Sequence, residues 1–140
     1  MGFLFLSCAK DFNLKKIIVS ITNDISTDQR VEKVCNTLLN AGYEILLIGK
    51  KNENSKPLER NYSTKRISVF FKKGILFYAE FNLKLFFTLL FTKKNMLLAN
   101  DLDTLLPNYL VSLLQRKKIV YDSHELFPEI PELVNRPFAK

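Results

Sequence analysis

One stretch limits the choice of fold more than any other: Met96 to Glu125, MLLANDLDTLLPNYLVSLLQRKKIVYDSHE. An apolar run, Met96 to Ala99, stops at Asn100-Asp101-Leu102-Asp103, and a second, Lys118 to Tyr121, stops at Asp122-Ser123-His124-Glu125. Between them Leu106, Tyr109, Leu110, Leu113 and Leu114 recur at helical spacing, which predicts an amphipathic helix with those five side chains turned to the core. Two short strands joined by one crossover helix run parallel, so both polar clusters fall at the same, carboxyl-terminal edge of a sheet. In open parallel sheets ligands bind at that edge. Asn100, Asp101, Asp122, Glu125 and His124, the chain's one histidine, are therefore expected on one rim.

The rest of the chain extends the same pattern. Ile17 to Thr22 (IIVSIT) is a β-branched run that reads as a first buried strand ending at Asn23-Asp24. Ser26 with Gln29 three residues on has the pattern of a capping box, and Val31, Val34, Cys35, Leu38 and Leu39 mark the inward face of a helix that Gly42 stops. Tyr43 to Gly49 reads as the second strand, Lys50 to Ser63 as a polar loop, and Lys65 to Phe71 as a third strand. Ile75 to Thr92 is a long aromatic helix whose polar positions Glu80, Lys84, Thr88 and Thr92 fall on one i, i+4 line. Its length suits a bilayer, but Glu80, Asn82 and Lys84 argue for burial against the sheet and a neighbouring helix. The flanking pairs Lys72-Lys73 and Lys93-Lys94 leave interfacial membrane contact open. The expectation is an α/β fold, a doubly wound three-layer parallel sheet of five strands in one domain over residues 15–140, with residues 1–14 an apolar extension outside it.

Charge and cysteine content narrow the setting. Formal net charge is +7, and residues 1–74 hold 13 Lys/Arg against 7 Asp/Glu. A solvated basic surface and an anionic partner, such as a phosphorylated substrate or an acidic membrane face, both account for this. Nucleic acid is not expected as a partner, because the basic residues form no dense helical stripe interleaved with exposed aromatics. Cys8 and Cys35 offer neither a disulfide framework nor metal-ligand spacing, so a reducing cytoplasm is the expected compartment and no metal is expected.

Three rim segments can carry chemistry. Asn23 to Arg30 opens a helix whose free N–H groups suit an anion, with Asp24 and Ser26 in the loop and Arg30 as a bidentate donor; no glycine-rich phosphate loop is present. In the second, Asn100 to Asp103, either Asp103 or Thr104 is expected to cap the next helix, with Pro107 in its first turn, which leaves the Asp101 carboxylate to accept a hydrogen bond from a sugar hydroxyl or, as the lesser alternative, to bind a metal. The third is Asp122-Ser123-His124-Glu125, where two carboxylates flank the imidazole. No HExxH, CxxC or hydrolase triad pattern occurs.

Four segments in order, ITNDISTDQRVEKVCNTLLNAGYEILLIGK, ILFYAEFNLKLFF, LLANDLDTLLPNYL and KIVYDSHELFPEIPELVNRP, resemble the amino-terminal domain of bacterial glycosyltransferases of family 4, over about Lys16 to Pro137. The resemblance implies the Rossmann-like amino-terminal half of a GT-B architecture, in which one domain holds the acceptor and a second binds the nucleotide-sugar donor. It implies retaining transfer of a hexose, as in glycan biosynthesis, to a glycan or lipid-linked acceptor. No cofactor is implied, the nucleotide sugar being a substrate, and the place of action is the cytoplasm, with peripheral contact to the inner membrane. His124 would hydrogen-bond the transferred sugar in the catalytic centre. Asn23, Asp24, Ser26, Arg30, Asn100, Asp101, Asp122 and Glu125 would bind substrate. The first loop departs from the family in lacking paired glycines. The donor domain is not among these 140 residues, and the end at Lys140 reads as a truncation, so the chain is expected to be inactive alone. A non-catalytic binding module, a split-enzyme subunit and a nucleotide-sugar epimerase-like domain are the alternatives.

Overall fold

The computed structural model describes residues 15–123. The apolar start, residues 1–14, and the segment from His124 onward lie outside the described residues, and with them the expectations for His124 and Glu125. Eight elements follow in order: β1 (Lys16–Asp24), α1 (Gln29–Asn40), β2 (Glu44–Lys50), β3 (Ser63–Ile67), α2 (Gly74–Phe91), β4 (Met96–Ala99), α3 (Leu102–Gln115) and β5 (Lys118–Tyr121).

The five strands form one sheet in the order β3-β2-β1-β4-β5, every neighbouring pair parallel. This is the expected doubly wound α/β architecture, consistent with a Rossmann-like fold. β1 is central, and Ile17 to Ile21 are buried in succession because both faces of the strand are covered. On one face Ile17, Val19, Ile21, Ile45 and Leu47 meet Val31 and Cys35 of α1. On the other, Ile18, Ile48 and Leu97 meet Phe77, Phe81, Leu85 and Leu89 of α2 and Val111 of α3. Full burial of each of those α2 side chains stabilises the fold by on the order of 1.5–3 kcal/mol.

The expected faces of α1 are observed: Val31 and Cys35 are buried, and Val34, Leu38 and Leu39 pack against the same core. Its start is corrected. Asp28, not Ser26, caps the helix, with Oδ1 accepting from the N–H groups of Arg30 and Val31. At its end Gly42 takes φ +89°, its N–H bonds Leu39 O, and the N–H of Tyr43 bonds Leu38 O, the paired closure that a left-handed residue permits.

Two further expectations change. The third strand covers Ser63–Ile67 and does not reach Phe71, because the N–H groups of Phe70 and Phe71 leave the ladder and bond the carboxylate of Glu80. Glu80 also accepts from Lys84 Nζ at 2.6 Å, the expected i, i+4 pair, and Lys84 donates to Ser68 O, so this pair straps the 68–71 segment to α2. The second change concerns α3. Leu106, Tyr109, Leu110, Leu113 and Leu114, expected inward, are all exposed, and the buried face is Thr104, Pro107, Asn108 and Val111. Hydrogen bonds hold that face to the sheet: Asn108 Nδ2 donates to Ser20 Oγ, and Thr104 Oγ1 to Ser20 O. Because α3 begins at Leu102, Pro107 stands in its second turn rather than its first.

Candidate functional site at the carboxyl edge of the sheet

The strand order reverses at β1, since the chain moves outward to β2 and β3 and returns to place β4 on the other side. The carboxyl ends of β1 and β4 therefore bound the crevice where doubly wound sheets take ligands. Their last regular rung is the N–H of Asn100 to Ser20 O. Beyond it the strands part, and Thr22 would be left with an unpaired N–H. Asp101 Oδ2 accepts that N–H at 2.9 Å and the Thr22 hydroxyl at 3.1 Å, while Oδ1 faces Arg30 of α1 at 3.9 Å. Asp101 occupies the N-cap position of α3, but its side chain makes no capping bond. It ties β1, α1 and the start of α3 together at this edge, facing the half-exposed guanidinium of Arg30.

Asn100 is the unusual group. It is fully buried, and neither its Oδ1 nor its Nδ2 has a hydrogen-bond partner. Leaving one such group unpaired costs roughly 1–3 kcal/mol. Asp122 follows β5 on the same rim, with its N–H bonded to Ala99 O. Asn100, Asp101, Arg30 and Asp122 are thus gathered at one edge, as the parallel topology requires.

Asp24 and Ser26 form a second group on the β2 side of β1. The hydroxyl and N–H of Ser26 donate to Asp24 Oδ1, and Ser55 Oγ donates to Oδ2. Burial works to raise the Asp24 pKa, but the bonds from Ser55 and Ser26, with the charge of Arg66, outweigh it and hold the carboxyl below the usual range. Oδ1 braces the β1–α1 loop from within, and Oδ2 ties it to Ser55 of the β2–β3 connection. The loop lies close on β2, and only glycine fits beneath it at position 49: a Cβ there would stand 2.4 Å from Ile25 Cγ2 and 3.0 Å from Asn23 O. Asn23 itself is exposed.

Beside this loop opens a cleft of about 510 Å³ whose lining includes Asp24, Ser26, Thr27 and five lysines, Lys50, Lys51, Lys56, Lys72 and Lys73. Lys72 pairs with Glu53 at 2.6 Å, and Lys50 Nζ lies 4.4 Å above the ring of Phe77. The cleft keeps a surplus of positive charge and suits a phosphate-bearing anion. Lys72 and Lys73 stand out in the sequence only as a basic flank of the long helix, and no motif marks Lys50, Lys51 and Lys56. The signal was their position directly after β2 and shortly after β3, at the carboxyl ends of two parallel strands. A cleft of about 590 Å³ at the opposite edge, lined by Lys16, Glu44, Gln115 and Lys117 among others, lies away from this rim. Among the described residues no group of three or more His, Cys, Asp or Glu side chains is placed to hold a metal.

Fold and rim together define a doubly wound α/β domain with a polar switch-point crevice and a lysine-lined cleft next to it. No family model, curated protein or solved structure matches the chain.

Proposed function

We propose that the chain is the acceptor-holding, Rossmann-like half of a retaining, nucleotide-sugar-dependent glycosyltransferase of GT-B architecture. Hexosyl transfer to a glycan or lipid-linked acceptor then requires a donor domain in addition to these residues. The observation that carries this reading is the β1–β4 edge, where the half-exposed Arg30 guanidinium faces Asp101, next in sequence to Asn100, whose buried amide has two donors and an acceptor oxygen without a partner. That is the chemistry a sugar hydroxyl requires. The order of the four resembling segments supports the same reading. In this account Arg30 and Asn100 orient the acceptor, the Asn23–Ser26 loop borders the donor phosphates, and His124, with Asp122 and Glu125 near it, hydrogen-bonds the transferred sugar.

Calorimetric titration of the 140-residue chain with acceptor glycosides, a nucleotide sugar and pyrophosphate tests it. The reading predicts acceptor binding that Asn100→Ala weakens roughly 10- to 100-fold, the loss of one or two hydrogen bonds from a buried site. Absence of acceptor binding defeats it. A second reading, a non-catalytic anion-binding module, is favoured by the five-lysine cleft. It predicts pyrophosphate binding that is lost when Lys51, Lys56 and Lys73 are replaced by Ala and is indifferent to Asn100.

A further inference from the structure

The outer surfaces of α2 and α3 each carry a long apolar stripe. On α2, Leu76, Leu83, Phe87 and Phe91 continue one stripe, with Leu83 59%, Phe87 48% and Phe91 81% exposed. On α3, Leu102, Leu106, Tyr109 and Leu113 recur at i, i+4, i+7, i+11 opposite the buried face, with Leu106 61% exposed. A shallow apolar groove of about 420 Å³ between Leu83 and Phe86 of α2 and Leu106 and Leu110 of α3 joins the two stripes. An apolar area of this extent marks an interaction surface. It is not a sheet-facing surface turned outward by chance, because the sheet-facing side of α3 is polar and hydrogen-bonded to Ser20.

Charge selects the occupant. Lys73 and Lys72, the latter paired with Glu53, stand exposed at one end of the stripes near the exposed Asp103 of α3, and Lys93, Arg116 and Lys118 stand exposed at the other. Within α2, Glu80 is neutralised by Lys84. A second copy of the chain, packed face to face with its helices aligned, brings the Lys93, Arg116 and Lys118 ends together. An anionic bilayer meets both ends favourably and receives the apolar stripe between them. α2 is long and apolar enough to cross a membrane, yet its Phe77, Phe81, Leu85 and Leu89 are committed to the sheet. An interfacial position in the plane of the membrane satisfies both of its faces.

We infer that the α2–α3 face docks the domain on an anionic lipid surface. The inference does not depend on the glycosyltransferase reading, and its test involves no sugar. Co-sedimentation of the 140-residue chain with vesicles of phosphatidylcholine containing phosphatidylglycerol, compared with phosphatidylcholine alone, measures it. Binding is expected with the anionic vesicles, weakened at least about tenfold by Leu83→Asp with Phe87→Asp. Lys72→Ala and Lys73→Ala are expected to weaken it roughly fivefold each, and added salt to weaken it further. Thermal melts show whether these surface variants keep the fold. The apolar residues 1–14 remain present throughout, so binding that survives the Leu83 and Phe87 substitutions overturns the assignment. So does a lack of binding to anionic vesicles, or a dimer in solution that Leu83→Asp dissolves without any vesicle binding.

Discussion

Asn108 Nδ2 donates a 2.6 Å hydrogen bond to Ser20 Oγ, and both side chains are fully buried. The same nitrogen donates to Thr104 O, and Ser20 Oγ in turn reaches Leu98 O at 3.4 Å. A helix that carries a stripe of leucines is thus fastened to the sheet by its polar side. Polar bonds fix rotation about the helix axis more sharply than apolar packing does. They hold Leu102 and Asp101, about two turns before Asn108, at the carboxyl edge of the sheet.

Ser20→Ala removes an acceptor from Asn108 in a dry site and is expected to destabilise the fold by about 1–2 kcal/mol, a fall in Tm of roughly 4–8 °C. Adding Asn108→Leu removes the stranded donor, so the double variant is expected to lose less than the sum of the two single ones. Thermal melts of the three variants check this; strict additivity would show that the two side chains do not interact.

Gly49→Ala places a methyl group 2.4 Å from Ile25 Cγ2. The β1–α1 loop has to lift, at a cost of about 1–3 kcal/mol. Amide shifts at Asn23 to Ser26 are expected to move while those of α3 stay in place; an unshifted loop at unchanged Tm contradicts the close approach.

Acid sensitivity follows from two carboxylates. Asp24 is held below its ordinary value of 3.8 against the effect of burial. Glu80 is lowered from 4.5 to about 2 by the hydrogen bonds from Lys84, Phe71 and Phe70. A carboxyl whose folded pKa lies below its unfolded one stabilises the fold above the unfolded pKa, and this contribution is lost as pH falls through the folded pKa. Stability is therefore expected to fall with pH below 4.5. Asp24→Asn with Glu80→Gln is expected to be less stable near neutral pH and flatter in acid. Melts of both proteins between about pH 6 and about pH 2 read the slopes, and identical slopes would remove the assignment.

Burial pushes the Cys35 thiol up to about 12, despite the Tyr62 hydroxyl and the charge of Arg60, which work to lower it. Thiolate at mildly alkaline pH is then about a thousandfold scarcer than for a free cysteine. In a Cys8→Ser background, alkylation of Cys35 is expected to proceed only as fast as the fold opens, and to accelerate sharply in urea. Rapid labelling of the native protein would show that the α1 face is open.

The sheet was legible because β1 and β2 are unbroken β-branched and aliphatic runs, and because one crossover helix between two short strands leaves parallel pairing as the outcome. Asn100, Asp101 and Asp122 were placed on the rim by that topology alone. What escaped depends on partners distant in sequence. Phe70 and Phe71 look like strand residues, and nothing local reveals that Glu80, about ten residues on, takes their N–H groups. Ser26 and Asp28 both fit a cap, and the choice fell to Asp28 because Ser26 is engaged by Asp24. The leucines of α3 follow the helical period faithfully, but a period tells which residues share a face and not what covers it. The roles of Asp24 and Asp101 as braces were equally invisible, since each rests on bonds made across the fold.

Amide chemical shifts of the isotopically labelled 140-residue chain, followed on addition of an acceptor glycoside, test whether the β1–β4 edge holds the acceptor. Perturbations are expected at Thr22, Arg30, Asn100 and Asp101, with the side-chain amide of Asn100 among them, and are expected to be lost in Asn100→Leu. Perturbations confined to the lysine cleft between Lys50 and Lys73, or none at the β1–β4 crevice, would contradict this role.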